Sequence, residues 1–230
     1  MSKFNSVVRF NDRARKYDKE IESIIPGYST LHQLLSYILK NRLPGRANIL
    51  IAGTGTSREA ITLATENKGW NFVAFDTAEE MIKVSSRKIK KRDVGKQIKL
   101  VHGEINDVEE KMFDAATSVL VMHFIKNKKS FLNEIYSRIK PGGYFLLVDI
   151  CGNKRTREFN ELLSYWVDYQ KDNRTDMESI EQTVQHIKND LRAVSIEKTF
   201  TLLRDTGFKN TRHFFKSLLI NGFIAEKPGR

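Results

Sequence analysis

The sequence predicts an α/β fold in three layers, with a mostly parallel sheet between two layers of helices. Short apolar runs alternate with helical stretches between residues 46 and 150, which is typical of βαβ units with right-handed crossovers. A glycine turn, Gly53-Thr54-Gly55, follows the first apolar run. Two strand-like runs close the chain, and they are joined so tightly that an antiparallel pair is the simplest interpretation.

The elements are predicted in order from apolar spacing and from turn residues. Helices are expected at residues 8–24 and at 30–41, where Ser29 could cap the second one, and Pro26-Gly27 separates the two. Strands are then predicted at 49–52, 71–75, 98–102, 114–121 and 144–150, with helices at 58–67, 78–91 and 129–139. A mostly polar helical segment follows at 154–191, then a helix at 196–205 and the closing strands 211–218 and 220–225.

This order of elements predicts an N-terminal helical lid, residues 1–45, and a main domain, residues 46–230. The main domain would carry a helical cap insertion at about residues 151–195, where the βαβ alternation stops. Within that insertion, Phe159, Trp166 and Tyr169 stand at helical spacing, which favours core contacts of the cap over a binding pocket.

The composition limits the compartment and the chemistry. Cys151 is the only cysteine, so no internal disulfide can form, and no run of 18 apolar residues predicts a membrane span. The segment Met1–Asn5 is too polar for a secretory signal. We therefore expect a cytoplasmic protein, a monomer or a homodimer, with no membrane partner. No cluster of Cys or His has the spacing of metal ligands, so no metal is expected.

The net charge of +11 permits an anionic partner such as RNA, a nucleotide or an acidic metabolite. The alternative is a lysine-rich solvated surface, because the lysines are spread along the whole chain. The densest basic run, residues 87–92, ends a predicted helix, where cations also complement the helix dipole.

Three predicted strand ends carry the residues of a binding site. Gly53 and Gly55 allow positive φ and leave backbone amides open to a polar ligand. Asp76 ends the second strand, where a carboxylate can accept from ribose hydroxyls or cap the next helix. Glu104 follows the third strand, where it could accept from an adenine amine or lie in an ordinary polar loop. Together these positions indicate an adenosine-containing ligand. Arg58 occupies the place of the third glycine of a dinucleotide fingerprint.

These motifs, with Ser118–Ile125 and Pro141-Gly142-Gly143, resemble the class I S-adenosylmethionine-dependent methyltransferases. The resemblance covers roughly residues 8–227. It implies a Rossmann-like seven-stranded sheet of order 3-2-1-4-5-7-6 with strand 7 antiparallel, and S-adenosyl-L-methionine as cofactor with S-adenosyl-L-homocysteine as product. It implies a cofactor site formed by these residues: Tyr28, Ala52, Gly53, Thr54, Gly55, Asp76, Thr77, Met81, Glu104, Ile105 and Val119.

A closer likeness is to the bacterial tRNA wobble-uridine enzymes that make or use carboxy-S-adenosylmethionine. It is carried by Phe10–Arg13, by Ile25–Ser29 and by the ending Phe214–Lys227. In that subgroup an arginine and an asparagine stand where this chain has Leu202 and Val119. These two differences favour ordinary S-adenosylmethionine as the donor.

The catalytic candidates are His123, after the fourth strand, and Asp149, at the end of the fifth. His123 could take a proton from an acceptor, or it could be a packed residue at a helix entry. Asp149 could serve as a base or anchor, or cap a loop. Tyr17 and Tyr28 could close over the sulfonium from the N-terminal helices.

The sequence therefore predicts a methyltransferase that acts on a small-molecule acceptor. The alternatives are an RNA-modifying methyltransferase, an enzyme related to carboxy-S-adenosylmethionine, and a non-catalytic protein that binds an adenosine cofactor.

Overall fold

The computed structural model describes residues 6–173 and 175–229. Within these residues a seven-stranded sheet has the order β3-β2-β1-β4-β5-β7-β6. The pairs from β3 to β5 are parallel, whereas β7 pairs antiparallel with both β5 and β6. The predicted fold class and strand order are confirmed. The segment Met1–Asn5, which belongs to the predicted lid and to the argument about a signal, lies outside the described residues.

The strands and helices alternate through the middle of the chain. The strands are β1 Ala47–Ala52, β2 Trp70–Asp76, β3 Ile98–His102, β4 Phe113–Val119, β5 Ile139–Ile150, β6 Lys209–Ser217 and β7 Ile220–Glu226. The helices are α1 Ser6–Arg13, α2 Tyr17–Ile24, α3 Tyr28–Arg42, α4 Arg58–Glu66, α5 Glu79–Lys91, α6 Lys128–Arg138, α7 Arg157–Asp172, α8 Met177–Gln185 and α9 Ile196–Thr206. Short 3₁₀ turns cover Ile105–Asp107 and Met122–Phe124, and a π-helical turn covers His186–Asp190.

The two faces of the sheet bury separate apolar clusters. Alternate residues of β1 point to opposite faces, so Leu50 packs with Phe131 and Phe145 on one side, whereas Ile49 packs with Leu35 and Phe72 on the other. Helices cover both faces, as the alternating strands require. The carboxyl ends of β1 to β5 therefore meet along one edge, where ligands bind in such sheets.

The N-terminal helices and the cap insertion pack against each other beside that edge. The indole nitrogen of Trp166 on α7 donates to the carbonyl of Ile24 on α2 at 2.5 Å, and the Tyr169 hydroxyl donates to the Glu22 carbonyl at 2.9 Å. Phe159 is buried in the same cluster. Lid and cap thus share one apolar cluster with the ends of β4 and β5.

The fifth strand begins at Ile139 rather than at residue 144, the fourth ends at Val119 rather than at residue 121, and both predicted N-terminal helices differ from the structure. The predicted helix 8–24 is two helices, because the chain turns at residues 14–16, where buried Ala14 packs on Ala78 and Met81. The second helix begins at Tyr28 rather than Thr30. Its preceding residue is Gly27, with φ 77°, whereas Ser29 bonds to Glu22.

Candidate functional site

The glycine turn is held tightly against its neighbours. The amides of Gly53 and Thr54 both donate to the carbonyl of Phe75, at 3.0 and 2.9 Å. A Cβ on Gly53 would lie 2.2 Å from the Val121 side chain, so only glycine fits there. A Cβ on Gly55 would meet no atom within 4 Å, because that position opens into the cleft described below. The second glycine therefore leaves room for a ligand.

A buried chain of hydrogen-bonded hydroxyl groups, from Thr54, Ser57 and Ser85, supports this turn. Ser57 donates to Ser85 on α5 at 2.9 Å, and Ser85 donates to the Gly55 carbonyl at 2.8 Å. Because the Ser57 proton is engaged, the Thr54 hydroxyl donates to Ser57 across 3.0 Å. Ser57 itself has φ 59°. The sequence analysis did not identify Ser57 or Ser85, since their contact joins residues distant in the chain.

Asp76 combines the two roles weighed for it. One carboxylate oxygen accepts from the Gly55 amide and the other from the Ala78 amide, at 2.8 and 2.9 Å. Burial raises the pKa of Asp76, and the bonds from Ala78 and Gly55 oppose that rise. Each oxygen has further acceptor capacity, so the carboxylate can hold the turn and still accept from a ligand.

A cleft of about 470 Å³ runs along these strand ends, within the range of small-molecule sites. Eight of the predicted cofactor residues line it: Gly53, Gly55, Asp76, Thr77, Met81, Glu104, Ile105 and Val119. Glu104 is exposed, and its backbone amide donates to Asp107 at 2.7 Å, which fixes the loop after β3. Of the other three, Ala52 is fully buried in the core and Thr54 supports the turn.

Tyr28 is not among the residues that line this cleft, and its contact with a cofactor stays a prediction. Its buried ring lies beneath the guanidinium of Arg58, 5.2 Å away, and packs edge-on against His32. Tyr17, on α2, lines the cleft instead. Tyr28 is buried in the apolar cluster that contains Ile25 and Leu31.

Arg58 attaches the lid to the glycine turn. It pairs with Glu22 on α2 at 2.5 Å and donates to Ser29 on α3 at 3.2 Å. A second link joins Asp18 on α2 to the Thr56 hydroxyl and to Lys88, at 2.5 and 2.8 Å. The residue that replaces the third glycine thus connects the turn to the N-terminal helices.

His123 and Asp149 form a buried pair. The Nδ1 atom of His123 is hydrogen-bonded to a carboxylate oxygen of Asp149, and the side chains are 4% and 1% exposed. The two predicted catalytic candidates are therefore in direct contact. An ionised carboxylate only accepts, so Nδ1 carries the proton and Nε2 is left as the basic nitrogen.

His123 lines a second cavity of about 100 Å³ between the lid, the cap and the end of β4. Most of its wall is apolar, including Ile21, Ile150 and Trp166. Of the three cap aromatics, only Trp166 is among its lining residues.

The second cavity and the cleft share one wall. Its residues, which we term the common wall, are Phe10, Tyr17, Leu120 and Phe124. Leu120 has φ 58°, rare for a branched residue, and its amide donates to the Val148 carbonyl at 2.8 Å. This backbone turn follows directly on β4, and Leu120 lines both spaces. Leu120 and Phe124 were not predicted individually as site residues.

In the described ranges, no group of three or more His, Cys, Asp or Glu side chains could hold a metal ion. No helix within residues 6–173 and 175–229 is long and apolar enough to cross a membrane. Cys151 is buried, and burial together with the charge of Asp149 raises the pKa of its thiol to about 12.

Comparison with known proteins agrees with this geometry. Residues 50–147 match the model of a methyltransferase domain family. The carboxy-S-adenosyl-L-methionine synthase of Nautilia profundicola is 24% identical, over 92% of this chain and 94% of its own. A solved structure from Thermotoga maritima, described as an S-adenosylmethionine-dependent methyltransferase and a possible histamine N-methyltransferase, is 19% identical with a TM-score of 0.61. It covers 95% of this chain and 98% of its own.

A further structure, an O-methyltransferase family protein from Burkholderia thailandensis, has a TM-score of 0.64 at 13% identity. The match covers 97% of this chain and 60% of that one. At these identities the structural likeness concerns the fold, whereas the domain match and the relatives concern the kind of enzyme. The predicted enzyme class is thereby confirmed: this chain is an enzyme that carries a methyltransferase domain of the S-adenosylmethionine-dependent kind.

Proposed function

We propose that the chain transfers a methyl group from S-adenosylmethionine to a small molecule held in the second cavity. The observation that carries this proposal is the common wall, which separates a cleft suited to an adenosine cofactor from an apolar cavity with a histidine–aspartate pair. The two spaces adjoin at this wall, and its side chains would move apart when both ligands bind, because an in-line transfer requires the methyl group to touch the acceptor atom.

The residues of the cleft fit the cofactor. The open space at Gly55 admits a ligand close to the backbone, and Asp76 has free acceptor capacity for ribose hydroxyls. Phe75, Met81 and Ile105 offer apolar contacts for a base, and the exposed Glu104 offers an acceptor for an amine. S-adenosylmethionine, when bound, supplies an electrophilic methyl group on a sulfonium.

The chain's own residues would position the acceptor and accept its proton. Asp149 orients the imidazole of His123 so that Nε2 is the basic nitrogen. Tyr17 and Phe124 would exclude water from both spaces, and aromatic rings beside a sulfonium also favour its charge. An acceptor whose nucleophilic atom carries a dissociable proton would use His123 as the base.

Ordinary S-adenosylmethionine is proposed in preference to a carboxylated cofactor. Leu202, in the place of the subgroup's arginine, packs against the apolar core with no charge to offer. The name of the Nautilia relative keeps a carboxy-S-adenosylmethionine-related activity as the alternative.

A small acceptor is also proposed in preference to RNA. The groove on α4 and α5 that contains Arg58 and Lys88 also contains Asp18 and Glu66. Two of the four cations that line this groove are already paired, Arg58 with Glu22 and Lys88 with Asp18, and the other two are Lys91 and Arg92. Retention of tRNA at low salt that falls steeply as salt rises would favour the RNA alternative instead.

Calorimetric titration of Asp76→Ala and Asp76→Asn tests the cofactor assignment. The alanine variant should bind S-adenosylmethionine about 10- to 150-fold more weakly, because a charge-assisted acceptor worth roughly 1.5–3 kcal/mol is lost. The asparagine variant, which keeps one acceptor oxygen, should lie between it and the wild type. Binding of NAD without binding of S-adenosylmethionine, or an unchanged affinity in both variants, would refute the assignment.

A further inference from the structure

Arg9 brings a positive charge to the wall of the second cavity. It lies on α1, is half-buried and lines the cavity together with Arg13. Arg13 is neutralised by Glu20, whose carboxylate accepts hydrogen bonds from Nε and Nη2 of Arg13 at 3.2 and 2.5 Å. Arg9 differs, because its side chain forms no ion pair or hydrogen bond with any residue of the described ranges.

The surroundings make this position costly for a cation. Burial lowers the pKa of Arg9, the charge of Arg13 lowers it further, and Asp190 opposes them. Asp190 is itself hydrogen-bonded to Nδ1 of His186 at 3.1 Å, within the π-helical turn. A half-buried guanidinium that has five donors and no direct partner among residues 6–173 and 175–229 is well satisfied by a ligand oxygen.

Most of the remaining wall favours an apolar molecule. Phe10, Tyr17, Phe124 and Trp166 supply aromatic surface, and His123 approaches from the end of β4. A planar guanidinium matches the two oxygens of a carboxylate better than it matches a neutral group.

We propose that the acceptor is a small apolar or aromatic acid whose carboxylate binds Arg9 while its nucleophilic atom faces His123. That the bound acid is the methyl acceptor rests on the proposed function. The contact between Arg9 and a carboxylate does not require the cofactor. Arg9 would be a residue that determines specificity, and a neutral analogue of the same shape would bind poorly.

Calorimetry with benzoate and benzamide tests this contact, because the two probes have nearly the same shape and differ in charge. Benzoate should bind the wild type at least tenfold more tightly than benzamide. In Arg9→Met this preference should fall below about threefold, since methionine keeps the apolar stem and removes the charge. Arg15→Met is the matched control, because Arg15 is exposed and does not line the cavity.

Several outcomes would overturn the proposal: equal affinity for the two probes in the wild type, no binding of either, or a preference that survives Arg9→Met. If Arg15→Met also loses the preference for benzoate, the preference comes from long-range charge. That result would also overturn the contact between Arg9 and the carboxylate. Titration of S-adenosyl-L-homocysteine into the same three proteins separates the two hypotheses. If it fails to bind while the benzoate preference behaves as expected, the cofactor proposal fails and the Arg9 contact stands.

Discussion

Gly53 and Gly55 stand two positions apart in one turn but are required for different reasons. Both have positive φ, 71° and 54°. Only Gly53 approaches another side chain, Val121, so closely that a methyl group would collide with it. Gly53 is therefore a packing residue, whereas Gly55 keeps space free for a ligand.

Alanine substitutions should separate the two glycines. Gly55→Ala should cost about 1–2 kcal/mol of unfolding free energy, from the left-handed backbone alone, and should weaken cofactor binding further by occupying the cleft. Gly53→Ala should cost roughly 1–3 kcal/mol more than that, because of overpacking. Urea unfolding measures both. The double variant Gly53→Ala with Val121→Ala should regain part of the loss, and the clash is not the cause if it does not.

The His123–Asp149 pair should control proton transfer rather than cofactor binding. Asp149→Asn should lower kcat by about 10²- to 10⁴-fold once an acceptor is found, with little change in affinity for S-adenosylmethionine. Nitrogen-15 NMR of the wild type should place the His123 proton on Nδ1, and this tautomer should be lost or mixed in the variant. A kcat within threefold of the wild type would assign the pair a structural role only.

At the scale of elements, ion pairs add to the apolar contacts that hold the lid on the sheet. Glu22 and Asp18 on α2 are held by Arg58 and Lys88, and these pairs are partly exposed to solvent. Exposed pairs contribute at most about 1 kcal/mol each and weaken with salt. Loss of these pairs should therefore loosen α2 locally without unfolding the sheet.

Arg58→Met should loosen the lid locally. We expect amide hydrogen exchange to accelerate in α2 and at the start of α3, with a change in global stability below about 1 kcal/mol. Arg212→Met is the matched control, because Arg212 is exposed on β6. High salt should reproduce part of the effect in the wild type. Equal exchange in the two variants would contradict the attachment through Arg58.

The element scale also marks where sequence patterns stop being informative. Strand and helix positions followed from local periodicity, and Gly53, Asp76 and Glu104 meet because parallel strands end at one edge. The turn at Ala14 could not be predicted, since no glycine or proline marks it and it depends on packing against Met81. The place of Tyr17 and the engagement of Ser85 with the turn likewise depend on contacts between distant segments.

For the whole molecule, the strand order followed from the family resemblance together with the closing hairpin, and both agree with the structure. The second cavity could not be predicted from the sequence, because its lining residues come from four distant segments: α1, α2, the cap and the end of β4. Arg9 could not be identified from the sequence for the same reason.

Glu59 should make the stability of the whole molecule depend on pH. Burial raises the pKa of Glu59 to about 7, although the Thr117 hydroxyl donates to it at 2.6 Å and opposes the rise. The folded state thus binds more protons than the unfolded state between pH of about 4.5 and 7. This contribution is greatest below that window and falls as pH rises through it, by on the order of 3 kcal/mol.

Glu59→Gln should remove this contribution to the pH dependence of the unfolding free energy. Urea unfolding at pH 5 and pH 8 measures it. The comparison must be a difference between variant and wild type, because burial lowers the pKa of His32 to about 4 and gives a slope of opposite sign. Parallel pH profiles for the two proteins would show that Glu59 is not the source.

The common wall has a thermodynamic consequence. Phe10 and Tyr17 belong to the lid, whereas Leu120 and Phe124 follow β4, and all four face both spaces. A ligand that orders this wall from one side reduces the entropy that the other ligand must lose. The two affinities are then linked. Each ligand should increase the affinity of the protein for the other ligand by the same factor.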